Sequence, residues 1–132
     1  MKIIILSLSI IISFVISGYN SNDNPSIKFD EINYNFGNVD QGVTLEHEFH
    51  FTNSGEGLLT IKDVHASCGC TGVIMGEKKE FEQGEEGMIK ITFNTSGRSG
   101  KNTKYVSVTT NDPMNKTINL SFSCDIQIVN NK

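Results

Sequence analysis

From Leu45 to Thr52 the side chains alternate without a break: Leu45, His47, Phe49 and Phe51 share one parity, and Glu46, Glu48, His50 and Thr52 the other. Successive residues of an extended chain point to opposite faces, so this run is a strand with one dry and one wet face. The same period returns along the chain. Ile89, Ile91 and Phe93 share a parity within Met88–Phe93, Val106 and Val108 do so within Tyr105–Thr110, and Ile118, Leu120, Phe122, Cys124, Ile126 and Ile128 make a last long row. Leu59, Ile61 and Val64 open a further strand that runs into Ser67-Cys68-Gly69-Cys70-Thr71. Between these runs stand turn formers: Asn53-Ser54-Gly55 with Gly57, the glycines of Thr95–Gly100, and Asn111-Asp112-Pro113. No segment after the N-terminal one carries a helical period. The expectation is an all-β antiparallel sandwich of about seven strands, its inward rows buried against each other. The first strand, Ile27–Phe29 and then Tyr34–Phe36, fits either sheet.

The N-terminus has a different character. Met1-Lys2 is followed by an apolar run, Ile3–Ile16, broken only by Ser7, Ser9 and Ser13, and Val15-Ile16-Ser17 offers a cleavage pattern. As a helix this run spans roughly 21 Å, short of the roughly 30 Å a permanent anchor crosses. It therefore reads as a signal peptide over residues 1–17, followed by a flexible Asn/Ser-rich leader over 18–26 and one domain over 27–129. The processed chain is expected to be exported, periplasmic or secreted in a bacterium, with no stable membrane span. Losing Lys2 makes it more acidic than the −4 of the whole sequence, and Lys78-Lys79 is its longest basic cluster. Nucleic acid and anionic lipid, both gripped by basic patches, are not the expected partners.

Export changes how the 3 cysteines are read. Outside the cytoplasm a thiol is paired, metal-bound or protected by burial, and three cannot all pair within one chain. Cys124 shares the parity of Leu120 and Phe122, which makes it a core thiol; a bond to Cys68 or Cys70 stays open. Cys68 and Cys70, with only Gly69 between them, admit three readings. As a disulfide or thiol site, Cys68 attacks and Cys70 resolves, with His65 the nearest candidate cation. As a metal site, His65, Cys68 and Cys70 offer soft and borderline ligands for Cu(I) or, with a fourth, Zn²⁺, but the fragment lacks the closed four-ligand pattern of structural zinc. As a plain connection, Ala66–Gly72 crosses between sheets, the cysteines fill space, and Ser67 and Thr71 satisfy backbone groups. The plain connection is the primary expectation, and no cofactor is expected.

Other chemistry is sparse. His47 belongs at a core margin and His50 in solvent, since an offset of three places them on opposite faces of a strand. The acids of Glu77–Glu86 alternate with Lys78 and Lys79 and fit no calcium loop, so that stretch reads as a solvated turn region. Three Asn-x-Ser/Thr matches, at Asn94, Asn115 and Asn119, are what an asparagine-rich chain produces by chance. No phosphate-binding glycine loop or Ser/His/Asp set stands out.

The runs "FGNVDQG", "HEFHFTNSGEGLLTIKDVHASCGCTG" and "GEEGMIKITFNTSGRSGKNTKYVSVTTND" together resemble the bacterial domain-of-unknown-function family 1573, an exported immunoglobulin-like family related to the Hydin and major-sperm-protein branch. The likeness covers roughly Lys28 to Ile128. It implies an immunoglobulin-like sandwich and export. The chain departs from the family twice: Gln83 stands where proline often precedes the glycine, here Gly84, which implies a looser turn. Cys124 stands where the family often has glycine, which leaves its recruitment into chemistry open. The functional expectation is a non-enzymatic binding or scaffolding module of the cell envelope. Its partner would be a protein, met through loops or by adding a strand to a sheet edge. The competing class is a thiol-redox or Cu(I)/Zn-binding protein using Cys68 and Cys70.

Overall fold

A computed structural model describes residues 23–130; the expected signal peptide, most of the expected leader and the last two residues lie outside it. Nine strands run in chain order as β1 (Ile27–Phe29), β2 (Asn33–Asp40), β3 (Thr44–Asn53), β4 (Leu59–Ala66), β5 (Thr71–Ile74), β6 (Glu80–Phe81), β7 (Glu86–Asn94), β8 (Gly100–Thr110) and β9 (Thr117–Gln127). They form a four-stranded sheet, β1-β3-β7-β5, and a five-stranded sheet, β2-β9-β8-β4-β6. Beyond the runs that the alternation marks, the added strands are the short β5 and β6, and the first strand is split into β1 and β2.

The inward rows are those the alternation marks. Phe49, Phe51, Ile89, Ile91 and Phe93 from one sheet meet Leu59, Ile61, Val106, Val108, Leu120 and Phe122 from the other, all essentially without solvent contact. Each such side chain stabilises the fold by roughly 1.5–3 kcal/mol. The last row stops at Ile126: Ile128 lies beyond β9 and is exposed. In β4 the inward parity changes between Ile61 and Val64. The β4–β8 register shifts between Ile61 and Asp63, and the extra residue carries Val64 back to the core side.

The first strand is divided between the sheets. β1 pairs antiparallel with β3, Phe29 packs on Phe51 at 5.4 Å between ring centroids, and the Asp30 N–H donates to the His50 carbonyl. The chain then crosses over, and β2 runs beside β9 in parallel, with the Ser121 N–H donating to the Ile32 carbonyl. The expectation of a wholly antiparallel sandwich is corrected at this one pair. A strand that changes sheets without reversing lies alongside whichever neighbour already runs its way. His47 sits at the seam of this crossing, stacked on Tyr34 at 3.6 Å between centroids and 2.9 Å from Glu31, while His50 is solvated.

Buried polar side chains hold the turns. Asn53 donates from Nδ2 to the carbonyls of Gly57 and Phe81, both at 2.8 Å, and accepts at Oδ1 from the N–H groups of Ser26 and Gly55. The last residues of the leader are thereby docked: the Ser54 N–H donates to the Ser26 carbonyl and the Gly57 N–H to that of Asn24. In Glu77–Glu86 the structure departs from a plain solvated turn, because Phe81 is buried and β6 pairs with the start of β4. The looser turn expected from Gln83 is absent. The Glu85 N–H donates to the Glu82 carbonyl, Gly84 takes the positive φ (79°) favoured at the third position of a type II turn, and the Glu85 carboxylate accepts from the Glu82 N–H. Lys78, bonded to the Glu85 side chain at 2.8 Å, and then the Glu82 N–H hold that carboxyl below its ordinary range.

Gly87 lies directly beneath two aromatic rings of the core. A Cβ there would fall against the Phe51 ring and 2.7 and 2.9 Å from two Phe81 ring atoms. Both rings are buried, so neither has room to yield. Gly87→Ala is expected to cost about 2–3 kcal/mol, the upper range of overpacking, read as a lowered midpoint in urea unfolding at unchanged slope.

Candidate functional site

β4 belongs to the five-stranded sheet and β5 to the four-stranded one, so Ser67–Cys70 carries the chain across the end of the sandwich. The crossing begins in register. Ala66 pairs with Val106, and one step on the Ser67 N–H donates to the Tyr105 carbonyl at 2.9 Å while the Tyr105 N–H donates to Ser67 Oγ at 3.2 Å. It ends in register too, with Thr71 opposite Phe93. The expected backbone role of Ser67 is what the structure shows. Thr71 differs: the residue is 7% exposed, and its hydroxyl lies 3.6 Å from Cys68 Sγ and 4.0 Å from Cys70 Sγ.

Cys68 and Cys70 are joined by a disulfide, their Cα atoms 5.3 Å apart. Cys70 packs against the core margin, Cys68 is half-buried, and Gly69 is exposed with no atom within 4 Å of where a Cβ would stand. Closing so short a loop removes little freedom from the unfolded chain, roughly 1.5 kcal/mol on the loop-entropy relation. That is no more than one buried core side chain contributes, and the crossing is already held by the Ser67–Tyr105 hydrogen bonds.

The structure does not bring His65 to the pair. His65 is exposed on β4, and among the described residues no three His, Cys, Asp or Glu side chains converge as metal ligands. Cys124 is free and buried at 4% exposure. Burial pushes its thiol up, Asp125 adds to the effect and Lys104 opposes it. Lys104 is the residue that the reading of motifs passes over. It shares the inward parity of Val106 and Val108, and its Nζ lies 5.8 Å from the Phe93 ring centroid, between the sheets. A charge standing in an apolar row was the available signal.

Beside the crossing, β4 and β5 face each other across an open seam. β6 pairs only with Leu59 and Thr60, so among the described residues no strand pairs with the outer edge of Lys62–Ala66. A groove of about 200 Å³ lies there, lined by Ile61, Val64, Val73 and Met75 with Lys62, Asp63 and Lys79 also at its walls. The sequence displayed these residues, but not that an edge of β4 would be left open over them.

Solved structures share the architecture. A protein of unknown function from Porphyromonas gingivalis W83 is 14% identical with a TM-score of 0.69, covering 84% of this chain and 51% of its own. The ASH/PapD-like domain 7 of human CEP192 is 13% identical (TM-score 0.53; 92% of this chain and 97% of that one), and the periplasmic chaperone SfaE is 10% identical (TM-score 0.55; 81% and 60%). The chain thus spans about half the length of the first of these. At such identities the likeness establishes the fold, an immunoglobulin-like sandwich. No curated protein matches the chain. The family model described as "Protein of unknown function (DUF1573)" matches residues 27–126, and the chain belongs to that family.

Proposed function

We infer that this chain is an exported, non-enzymatic binding module of the cell envelope that takes an extended segment of a partner protein along the β4–β5 seam. The observation that carries the reading is the open outer edge of Lys62–Ala66 lying over a groove in which Ile61, Val64, Val73 and Met75 are interleaved with Lys62, Asp63 and Lys79. An added strand would satisfy the free backbone groups of that edge, and its alternate side chains would drop between Val64 and Val73. The other edges are poorer templates. β1 and β6 have 3 and 2 residues. β2 is interrupted by a register shift with Gly37 at φ 70°, a device that blunts edges. Export rests on the N-terminal segment, which lies outside the described residues.

Selection from a displayed library of extended peptides with alternating apolar residues tests this directly. Binders are expected to protect the backbone amides of Lys62–Ala66 from hydrogen exchange, and Val73→Lys to weaken them at least about tenfold, or ~1.4 kcal/mol. Protection confined to β2 or to the loops would end the proposal.

A further inference from the structure

We propose that Cys68 and Cys70 form a thiol–disulfide exchange site whose attacking sulfur, Cys68, is activated by Lys104 and Thr71. The placement of Lys104 follows from register. The β4–β8 ladder ends at Ala66 and Val106, beyond which the Tyr105 N–H bonds the Ser67 hydroxyl; carried two positions past that end, the register sets Cys68 level with Lys104. Both have the inward parity. The lysine reaches between the sheets, its Nζ 5.8 Å from the ring centroid of Phe93, the residue opposite Thr71. Arg98 borders the same ring, with Cζ at 5.5 Å. Of the other charged groups on adjoining strands, His65 and Asp125 are of outward parity, so the charge facing this end of the interior is positive. A thiolate gains from such a field and from a hydroxyl that donates to it. Thr71 Oγ1 is the donor and stands closer to Cys68 (3.6 Å) than to Cys70 (4.0 Å).

The division of roles follows. Cys68, the sulfur nearer the hydroxyl, attacks; Cys70, packed on the core margin two residues away, resolves. In the oxidising direction for the protein, the Cys68 thiolate attacks a disulfide of another molecule, one partner sulfur leaves as a thiolate, and a mixed disulfide forms. Cys70 then attacks Cys68 Sγ, the protein ring closes, and the second partner sulfur leaves. Two electrons have passed from Cys68 and Cys70 to the partner, whose two sulfurs take up the two protons. In the reverse direction two thiols reduce the ring and depart joined. The exposed, unobstructed Gly69 leaves the approach to the ring open. Cys124, buried and free, takes no part.

The test uses the purified protein, reduced and freed of reductant, with iodoacetamide and glutathione disulfide as probes and mass spectrometry to assign each cysteine. At pH 7 Cys68 is expected to alkylate at least about tenfold faster than a cysteine in an unstructured peptide. Lys104→Met should cut that rate about tenfold and move its pH profile to the alkaline side, while Lys104→Arg keeps both near wild type. Thr71→Val should slow Cys68 in the same direction, which keeps the idea testable should Lys104→Met fail to fold. Glutathione disulfide should re-form the Cys68–Cys70 ring in wild-type protein. A Cys68 rate equal to that of the free peptide, a folded Lys104→Met protein with an unchanged profile, or failure of the ring to re-form would each overturn the proposal.

Discussion

Asn53→Ala is expected to lower stability by about 3–5 kcal/mol, the largest loss from any single polar side chain in this domain. The amide has no solvent contact and makes four hydrogen bonds to main chain. Truncation strands two carbonyls, at Gly57 and Phe81, and two N–H groups, at Ser26 and Gly55. Each group left dry and unpaired costs about 1–3 kcal/mol, and partial entry of water limits the sum. Asn53→Asp separates the two halves of the effect, because a carboxylate keeps the acceptor and loses the donor. It should fall close to alanine, since it turns a repulsive oxygen toward the Gly57 and Phe81 carbonyls. Urea unfolding of the three proteins measures this, and an alanine variant within about 1 kcal/mol of wild type would show that Asn53 does not organise the turn.

The second large effect is expected at Asp112. Its carboxylate is buried yet accepts from the N–H groups of Ile27, Met114 and Asn115 and from Asn115 Nδ2, at 2.8 to 3.1 Å. It ties the β8–β9 turn to the start of β1. Desolvation works to raise its pKa, but the hydrogen bonds from Asn115, Ile27 and Met114 together outweigh it and leave the pKa below the ordinary 3.8. The sign of the pH effect follows. A carboxyl with a depressed folded pKa contributes its stability above the unfolded value, and that contribution is lost as pH falls through the folded pKa. Stability should thus decline below about pH 4, and Asp112→Asn should flatten the part of this decline that Asp112 causes. At neutral pH Asp112→Ala should cost about 3 kcal/mol, as a buried charge-assisted network is broken. Unfolding midpoints from pH 2.5 to 7 would show it, and a profile unchanged by Asp112→Asn would refute the assignment.

Both residues stand in turns that the sequence marks, Asn53-Ser54-Gly55 and Asn111-Asp112-Pro113. Pattern alone reads such residues as local turn formers. Their main partners are distant in sequence: Asn53 bonds Phe81 and Ser26, and Asp112 bonds Ile27. The same distinction separates what was legible at the cysteines. The parity of Cys124 placed it in the core, and the turn-like composition of Ala66–Gly72 placed Cys68 and Cys70 at a crossing between sheets. Lys104 could not be placed near the crossing, since 36 positions separate it from Cys68 in the sequence and only the β4–β8 pairing brings that part of β8 to the end of β4.

The alternation of apolar and polar residues was enough to decide that this chain makes strands, which side of each strand is dry, and that two sheets close over one core. Those properties follow from the two-residue period of an extended backbone and from the cost of leaving phenylalanine and isoleucine in water, and both act locally. Tertiary structure alone decided that the first strand divides between the sheets, that β2 lies parallel to β9, that the outer edge of β4 stays open, and which charge stands over the Phe93 ring. Each depends on the order and register of strands far apart in the chain, and the period of a single strand carries no information about its neighbours.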